Sequence, residues 1–219
     1  MSIENFIKIP EEIDYKNNLL ETAVVCDAIA TPLKIIKKAR ISSFDKVGVI
    51  GAGGGLGIHM LKMLKLNNIS AIGIDTKIEK FNTCNENGAE FCVSPMENDL
   101  KNKIADFSKS NDLDVVIDFV SSKSSLELGA SILGKGGRLV TLGGSGEQFL
   151  ANSADMLVKE LELIGSRYCT KQELKESLDL YARNLVKPLI SHKTDFNGAE
   201  ELHNKIETGD ITGRAGILI

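Results

Sequence analysis

A positive charge excess is missing from this chain. Lys and Arg number 26 against 30 Asp and Glu, a net charge of −4 over 219 residues, which leaves no basic footprint for nucleic acid or an anionic membrane. No apolar run approaches the ~20 residues that a membrane span needs. The opening MSIENFIKIPEEID has neither the basic start nor the continuous apolar stretch of a secretory signal. The four cysteines, Cys26, Cys84, Cys92 and Cys169, form no CxxC and no disulfide framework, which suits a reducing cytoplasm. Tryptophan is absent too, as are internal repeats and low-complexity segments. These absences predict a cytoplasmic, soluble domain, and the length allows one sizeable core, alone or with appendages.

What is present is concentrated in Lys46–Gly57, KVGVIGAGGGLG, followed about 20 residues on by Ser70–Asp75, SAIGID. An apolar β run enters a glycine-rich turn, a helix follows, and a second β run ends in a carboxylate. This order suits a dinucleotide. Glycines bring backbone N–H groups against a pyrophosphate, and the helix turns its positive end toward the same charge. Asp75 stands where a carboxylate accepts from both ribose hydroxyls and repels a 2′-phosphate, so NAD is expected rather than NADP. The spacing departs from GxGxxG: counted from Gly51, the register runs through Gly54 to Gly57, with one more residue in the turn.

The rest of the pattern alternates. A short strand is expected over Asn5–Pro10, and helices over Leu19–Ile29 and Pro32–Ala39, the second opening on its proline. Strands follow at Lys46–Ile50, Ala71–Asp75, Ala89–Val93, Asp114–Val120 and Arg138–Leu142, the last after a Gly136–Gly137 turn. Between them helices are expected at Gly55–Leu66, Lys77–Asn87, Glu97–Ser108 and Ser124–Leu133. Near-continuous β-branched runs separated by helices predict an α/β Rossmann fold, a doubly wound parallel sheet with helices on both faces. Glu160–Ser166 reads as a late strand at the sheet edge and a candidate homodimer seam. From Lys171 the pattern changes to a helix over Gln172–Asn184, a strand at Pro188–Ser191, a helix over Asn197–Thr208 with Leu202 and Ile206 inward, and a final strand from Arg214 that needs a partner from elsewhere. Residues 17–170 thus form the expected nucleotide-binding domain, flanked by segments 1–16 and 171–219.

Six segments in order, CDAIATPLKIIKKA, KVGVIGAGGGLG, GIDTKIEK, DFVSS, KGGRLVTLGG and GDITGRA, resemble the medium-chain, zinc-type alcohol dehydrogenase family over nearly the whole chain. The resemblance implies that Gly51, Gly53, Gly54, Gly55, Leu56 and Gly57 hold the pyrophosphate and that Asp75, with Lys80 beside it, holds the adenosine ribose. Phe119 and Val120 would line the cleft, Leu142 and Gly143 would offer backbone groups to the nicotinamide carboxamide, and Arg214 would neutralise the pyrophosphate. Asp27 would be the single zinc ligand in this chain, with Thr31 facing the nicotinamide. Plainer roles remain open: Asp75 as a helix cap, Lys80 and Arg214 as solvated cations, Phe119 as core, Asp27 as a local hydrogen-bonding group. His59, His192 and His203 fall in no ligand spacing, and His59 is expected to pack on the sheet or face water.

The family's other zinc ligands, a cysteine and a histidine or glutamate, and its proton-relay hydroxyl belong to an N-terminal catalytic domain. Residues 1–14 resemble only the last strand of that domain, and the tail its closing strand. The resemblance therefore implies a dehydrogenase cut near its hinge or divided between two genes. Such a chain would bind NAD, would hold zinc only when the missing domain is supplied, and would act on a small-molecule alcohol or carbonyl only in the complete enzyme. A zinc-free quinone or enoyl reductase, or a stand-alone NAD-binding module pairing with a separate catalytic chain, are the alternatives.

Overall fold

Strands buried on both faces need apolar side chains at consecutive positions, and 47–50, 71–74 and 115–118 are buried without a break. The computed structural model describes residues 6–109, 112–144 and 146–219. Helix α1 (Leu19–Val24) continues through a widened turn at Val25–Ile29 into α2 (Ala30–Lys38). Strand β1 (Lys46–Ile50) leads to α3 (Gly57–Leu66), and β2 (Ser70–Ile74) leads through a tight turn at Ile78–Lys80 to α4 (Phe81–Glu86). The alternation goes on through β3 (Cys92–Val93), α5 (Leu100–Ser108), β4 (Leu113–Asp118), α6 (Lys123–Ser131), β5 (Leu133–Thr141), α7 (Ser153–Lys159), β6 (Glu162–Gly165) and α8 (Lys171–Ala182).

β1–β6 pair in parallel in the order β3-β2-β1-β4-β5-β6. Val115 and Ile117 face Ile58, Leu61 and Leu64 of α3, while Val116, between them, faces Ile104, Phe107 and Leu126 on the other side. Each such fully buried aliphatic side chain stabilises by ~1.5–3 kcal/mol. A third cluster joins Val25 and Ile29 to Met63, Leu178 and Val186, and so fastens α8 beneath the entry helices. The strand order reverses between β1 and β4, which opens a crevice at their carboxyl ends.

The tail differs from expectation. β8 (Arg214–Ile217) pairs in parallel with β7 (Ile190–Thr194), across α9 (Ala199–Glu207), so its partner lies within the chain. Leu202 is buried as expected, but Ile206 is 55 % exposed, because α9 covers that small sheet with one narrow stripe.

Other boundaries shift for local reasons. Residues 6–10 form no strand, since nothing among the described residues pairs with them; Asn5 and the rest of 1–5 lie outside the described residues. Pro32 falls inside a continuous helical run rather than at its start. Its ring cannot donate to the carbonyl of Ala28, and the widened turn just before it absorbs that lost bond. The Gly136–Gly137 turn sits inside β5, as a bulge where the register passes from Leu113↔Leu133 to Val115↔Arg138.

Candidate functional site

The turn after β1 is shaped by what it has no room for. A Cβ on Gly57 would lie 2.1 Å from the Gly51 carbonyl oxygen, and one on Gly53 would lie 2.5 Å from Cδ of Lys80. Gly51 has φ +75° and sits against Val120 and Phe119 at the end of β4. The result is a close turn at the start of α3, and the amides of Gly55 and Leu56 have no backbone acceptor among the described residues. Main-chain donors at a helix start favour an anion.

Asp75 closes one rim. Its Oδ2 accepts from the Gly53 amide at 2.8 Å and its Oδ1 from the Lys77 amide at 3.0 Å. The bond to Lys77 is a local turn contact rather than a helix cap, since the turn at Ile78–Lys80 has Lys77 as its N-cap, and each carboxylate oxygen keeps a second lone pair. Lys80 is buried, not solvated: its stem covers Gly53 and its Nζ donates to the Ile211 carbonyl at 2.6 Å. Its ammonium is thus committed to the main chain of the tail.

The opposite rim is a cleft of about 670 Å³ whose lining includes Asp27, Thr31, Leu56, Leu142 and Gly143. Lys34, Lys38, Arg167 and Tyr168 line it too, and the sequence reading missed them. Their signal was available for the lysines, since 31, 34 and 38 share one helix face. Lys34 Nζ donates to the Arg167 carbonyl at 2.8 Å, and Lys38 Nζ to that of Gly165, so both cations sit at the carboxyl end of β6. Phe119 packs against the core beneath, and Val120 is half-exposed beside Gly51.

A buried carboxylate that the sequence reading passed over organises the space between. Asp118, fully buried, accepts from the amides of Val120 and Ser121 at 2.8 and 2.9 Å and from Ser125 Oγ at 2.7 Å. It holds Ser121 at φ +54°. There the Ser121 hydroxyl meets Thr141 Oγ1 at 2.7 Å and accepts from the Gly143 amide at 2.8 Å. The ends of β4 and β5 are thereby locked side by side.

His59 does something similar for the glycine turn. It is fully buried, and its Nε2 accepts from the Leu189 amide at 2.9 Å. Its proton therefore sits on Nδ1, which donates to the Gly55 carbonyl at 2.8 Å. The Gly213 amide donates to Gly53 and the Arg214 amide to Leu189, so β7 and β8 are stitched to the turn. Burial is the main cause that lowers the His59 pKa from 6.5 to about 4. In that window the unfolded chain binds the extra proton, so the stability that neutral His59 confers is complete above pH 6.5 and is lost as pH falls toward 4. Urea unfolding at pH 7 and pH 4 should differ by on the order of 3 kcal/mol from this group, and His59→Gln should flatten that part of the profile.

Asp27 accepts from Thr31 Oγ1 at 3.1 Å and is ion-paired with Arg214 through its other oxygen. Among the described residues no three His, Cys, Asp or Glu side chains group as metal ligands. The donor set around Asp27 within these residues therefore makes no zinc site by itself. The cysteines, separate in sequence, approach in pairs: Cys84 and Cys92 share a hydrogen bond, which with burial raises the Cys84 pKa, and Cys169 Sγ lies 3.9 Å from the Cys26 carbonyl.

Comparison with known proteins gives a consistent picture. The family model described as zinc-binding dehydrogenase matches residues 55–183. The chain is 26 % identical to the NAD-dependent alcohol dehydrogenase of Saccharolobus solfataricus over 203 residues, 92 % of this chain and 58 % of that protein. The alcohol dehydrogenase of the hyperthermophilic archaeon Aeropyrum pernix superposes with a TM-score of 0.87 at 26 % identity, over 97 % of this chain and 61 % of that one. Acetophenone reductase from Geotrichum candidum, in complex with NAD, gives 0.82 at 27 % identity over 98 % and 59 %. The chain spans 55–59 % of the length of the curated relatives it matches.

Proposed function

Because the chain belongs to the zinc-binding dehydrogenase family, we propose that it is the NAD-binding portion of an oxidoreductase that moves hydride between an alcohol carbon and nicotinamide. The observation that carries this reading is the Asp75 carboxylate hydrogen-bonded to Gly53 at the rim of a turn too tight for any side chain at Gly57. In this reading the amides of Gly55 and Leu56 and the Arg214 guanidinium hold the pyrophosphate, and Asp75 holds the adenosine ribose. Gly51, Phe119 and Val120 form the floor of the crossing. Thr31, Leu56, Leu142 and Gly143 meet the nicotinamide half, and Lys80 keeps the tail against the turn. Bound NAD would supply the hydride acceptor; the chain's own residues bind it, orient it and exclude water from its underside. The substrate is a small alcohol or carbonyl compound, completed by protein outside these residues.

β6 is the outer strand of the sheet. Leu163 on it and Leu157 and Val158 on α7 are 47 %, 79 % and 73 % exposed, which supports a homodimer seam there. A single-chain mass in light scattering would count against it.

Titration with NADH and NADPH, followed by cofactor fluorescence, tests the cofactor. Wild type should prefer NADH by at least tenfold, on the order of one unfavourable charge contact. Asp75→Ala should weaken NADH and erase most of that preference. Equal affinities in the wild type would overturn the reading.

A further inference from the structure

Arg214 is placed by three contacts that meet at the phosphate turn. Its side chain packs over Gly55: a Cβ there would stand 3.0 Å from Nε and 3.3 Å from Cζ. One Nη is paired with Asp27, on the helix that lines the cleft. Nε is buried and has no hydrogen-bond partner among the described residues. An arginine offers five N–H donors in a rigid fork. Fixing one corner on a carboxylate therefore fixes where the others point.

We propose that Asp27 is a positioning residue for Arg214, and that the pair aims the free Nε–H edge of the guanidinium at the phosphate of a dinucleotide lying on Gly55. This rests on the dinucleotide reading above and replaces the metal-ligand role that the resemblance implies for Asp27. Thr31 completes the arrangement by donating to the other carboxylate oxygen. With both oxygens engaged, the carboxylate cannot swing away from the arginine without breaking one of these contacts. A buried donor without an acceptor is costly to maintain, and an incoming phosphate oxygen supplies the acceptor that Nε lacks. The side chains of Arg214 and Asp27 are 31 % and 47 % exposed, so the pair sits at the rim of the cleft, with Nε on its buried side toward Gly55.

The test uses the whole chain. Asp27→Asn should weaken NADH binding roughly fivefold to tenfold, and Arg214→Gln by at least as much. The double variant should bind no worse than Arg214→Gln alone, since Asp27 acts only through the arginine. Arg214→Lys keeps the charge without the fork and should not restore wild-type affinity. An Asp27→Asn loss of equal size in both backgrounds, or no loss at all, would overturn the proposal. Two measurements need no cofactor. The NMR signal of the Arg214 ε-N–H should move in unliganded Asp27→Asn, and zinc titration should give the same isotherm for wild type and Asp27→Asn. An unmoved signal, or a stoichiometric zinc site lost in the variant, would refute the ion pair itself. A wild-type chain that binds no NADH while its Arg214 signal still answers to Asp27 would instead overturn the dinucleotide reading and the ligand named here.

Discussion

Gly57→Val should abolish NADH binding and lower the unfolding temperature by about 10 °C, to be read by fluorescence titration and thermal unfolding. The atoms a Cβ would meet are backbone: the Gly51 carbonyl oxygen at 2.1 Å, Ala52 Cα at 2.7 Å and Ala52 carbonyl carbon at 2.8 Å. Backbone cannot rotate away as a side chain does, so the turn must open and α3 must shift along β1. Overpacking of this kind costs about 2–4 kcal/mol, and a chain of this size loses ~2–4 °C per kcal/mol. The loss of binding exceeds the loss of stability, because the amides of the turn are displaced even in molecules that remain folded. Gly144→Ala is the control. Nothing lies within 4 Å of a Cβ there, so stability should stay within about 0.5 kcal/mol. A Gly57→Val protein that binds NADH normally would show that the turn is not the phosphate site.

Asp118→Ala should destabilise the fold by about 4 kcal/mol, lowering the unfolding temperature by about 10 °C. Three donors lose their acceptor together, and Ser121 and Ser125 are buried with only 3 % and 8 % exposure. Ser121 then has no reason to remain at φ +54°, a conformation that costs a non-glycine residue about 1 kcal/mol or more. Its hydroxyl would no longer hold the Gly143 amide. Any surviving folded protein should therefore bind NADH more weakly. Asp118→Asn should be milder, since it keeps one acceptor oxygen. Unfolding curves for the two variants that coincide with wild type would dismiss this network as incidental.

The parallel sheet was legible because its signal is local. Apolar runs such as VGVI and DVVID alternate with helical stretches, and that alternation admits few other architectures. The glycine turn and Asp75 were legible for the same reason, since both belong to one βαβ unit. Lys80 was not legible as a buried residue, and only its reading as a solvated cation fails. What it does, hold the Ile211 carbonyl, depends on a segment 131 residues away. His59 escaped for the same reason: its partner Leu189 lies 130 residues off. Asp118 stood within a quoted segment, DFVSS, but its acceptor role depends on the backbone of residues 120–121 turning back over it.

Composition, periodicity and glycine spacing thus determined, by themselves, the Rossmann architecture, the glycine turn and the carboxylate at its rim. Each of these is encoded within about 30 residues of chain, the span of one βαβ unit. Only the tertiary structure decided that β8 finds its partner in β7, that the tail is stitched to the turn through His59 and Lys80, and that Asp27 faces an arginine 187 residues away. Local pattern specifies which residues form an element and which face they bury. Which charges meet is set when distant segments dock. Asp27 shows the difference: its spacing to Thr31 resembles that of a metal ligand, and Arg214 gives it another role.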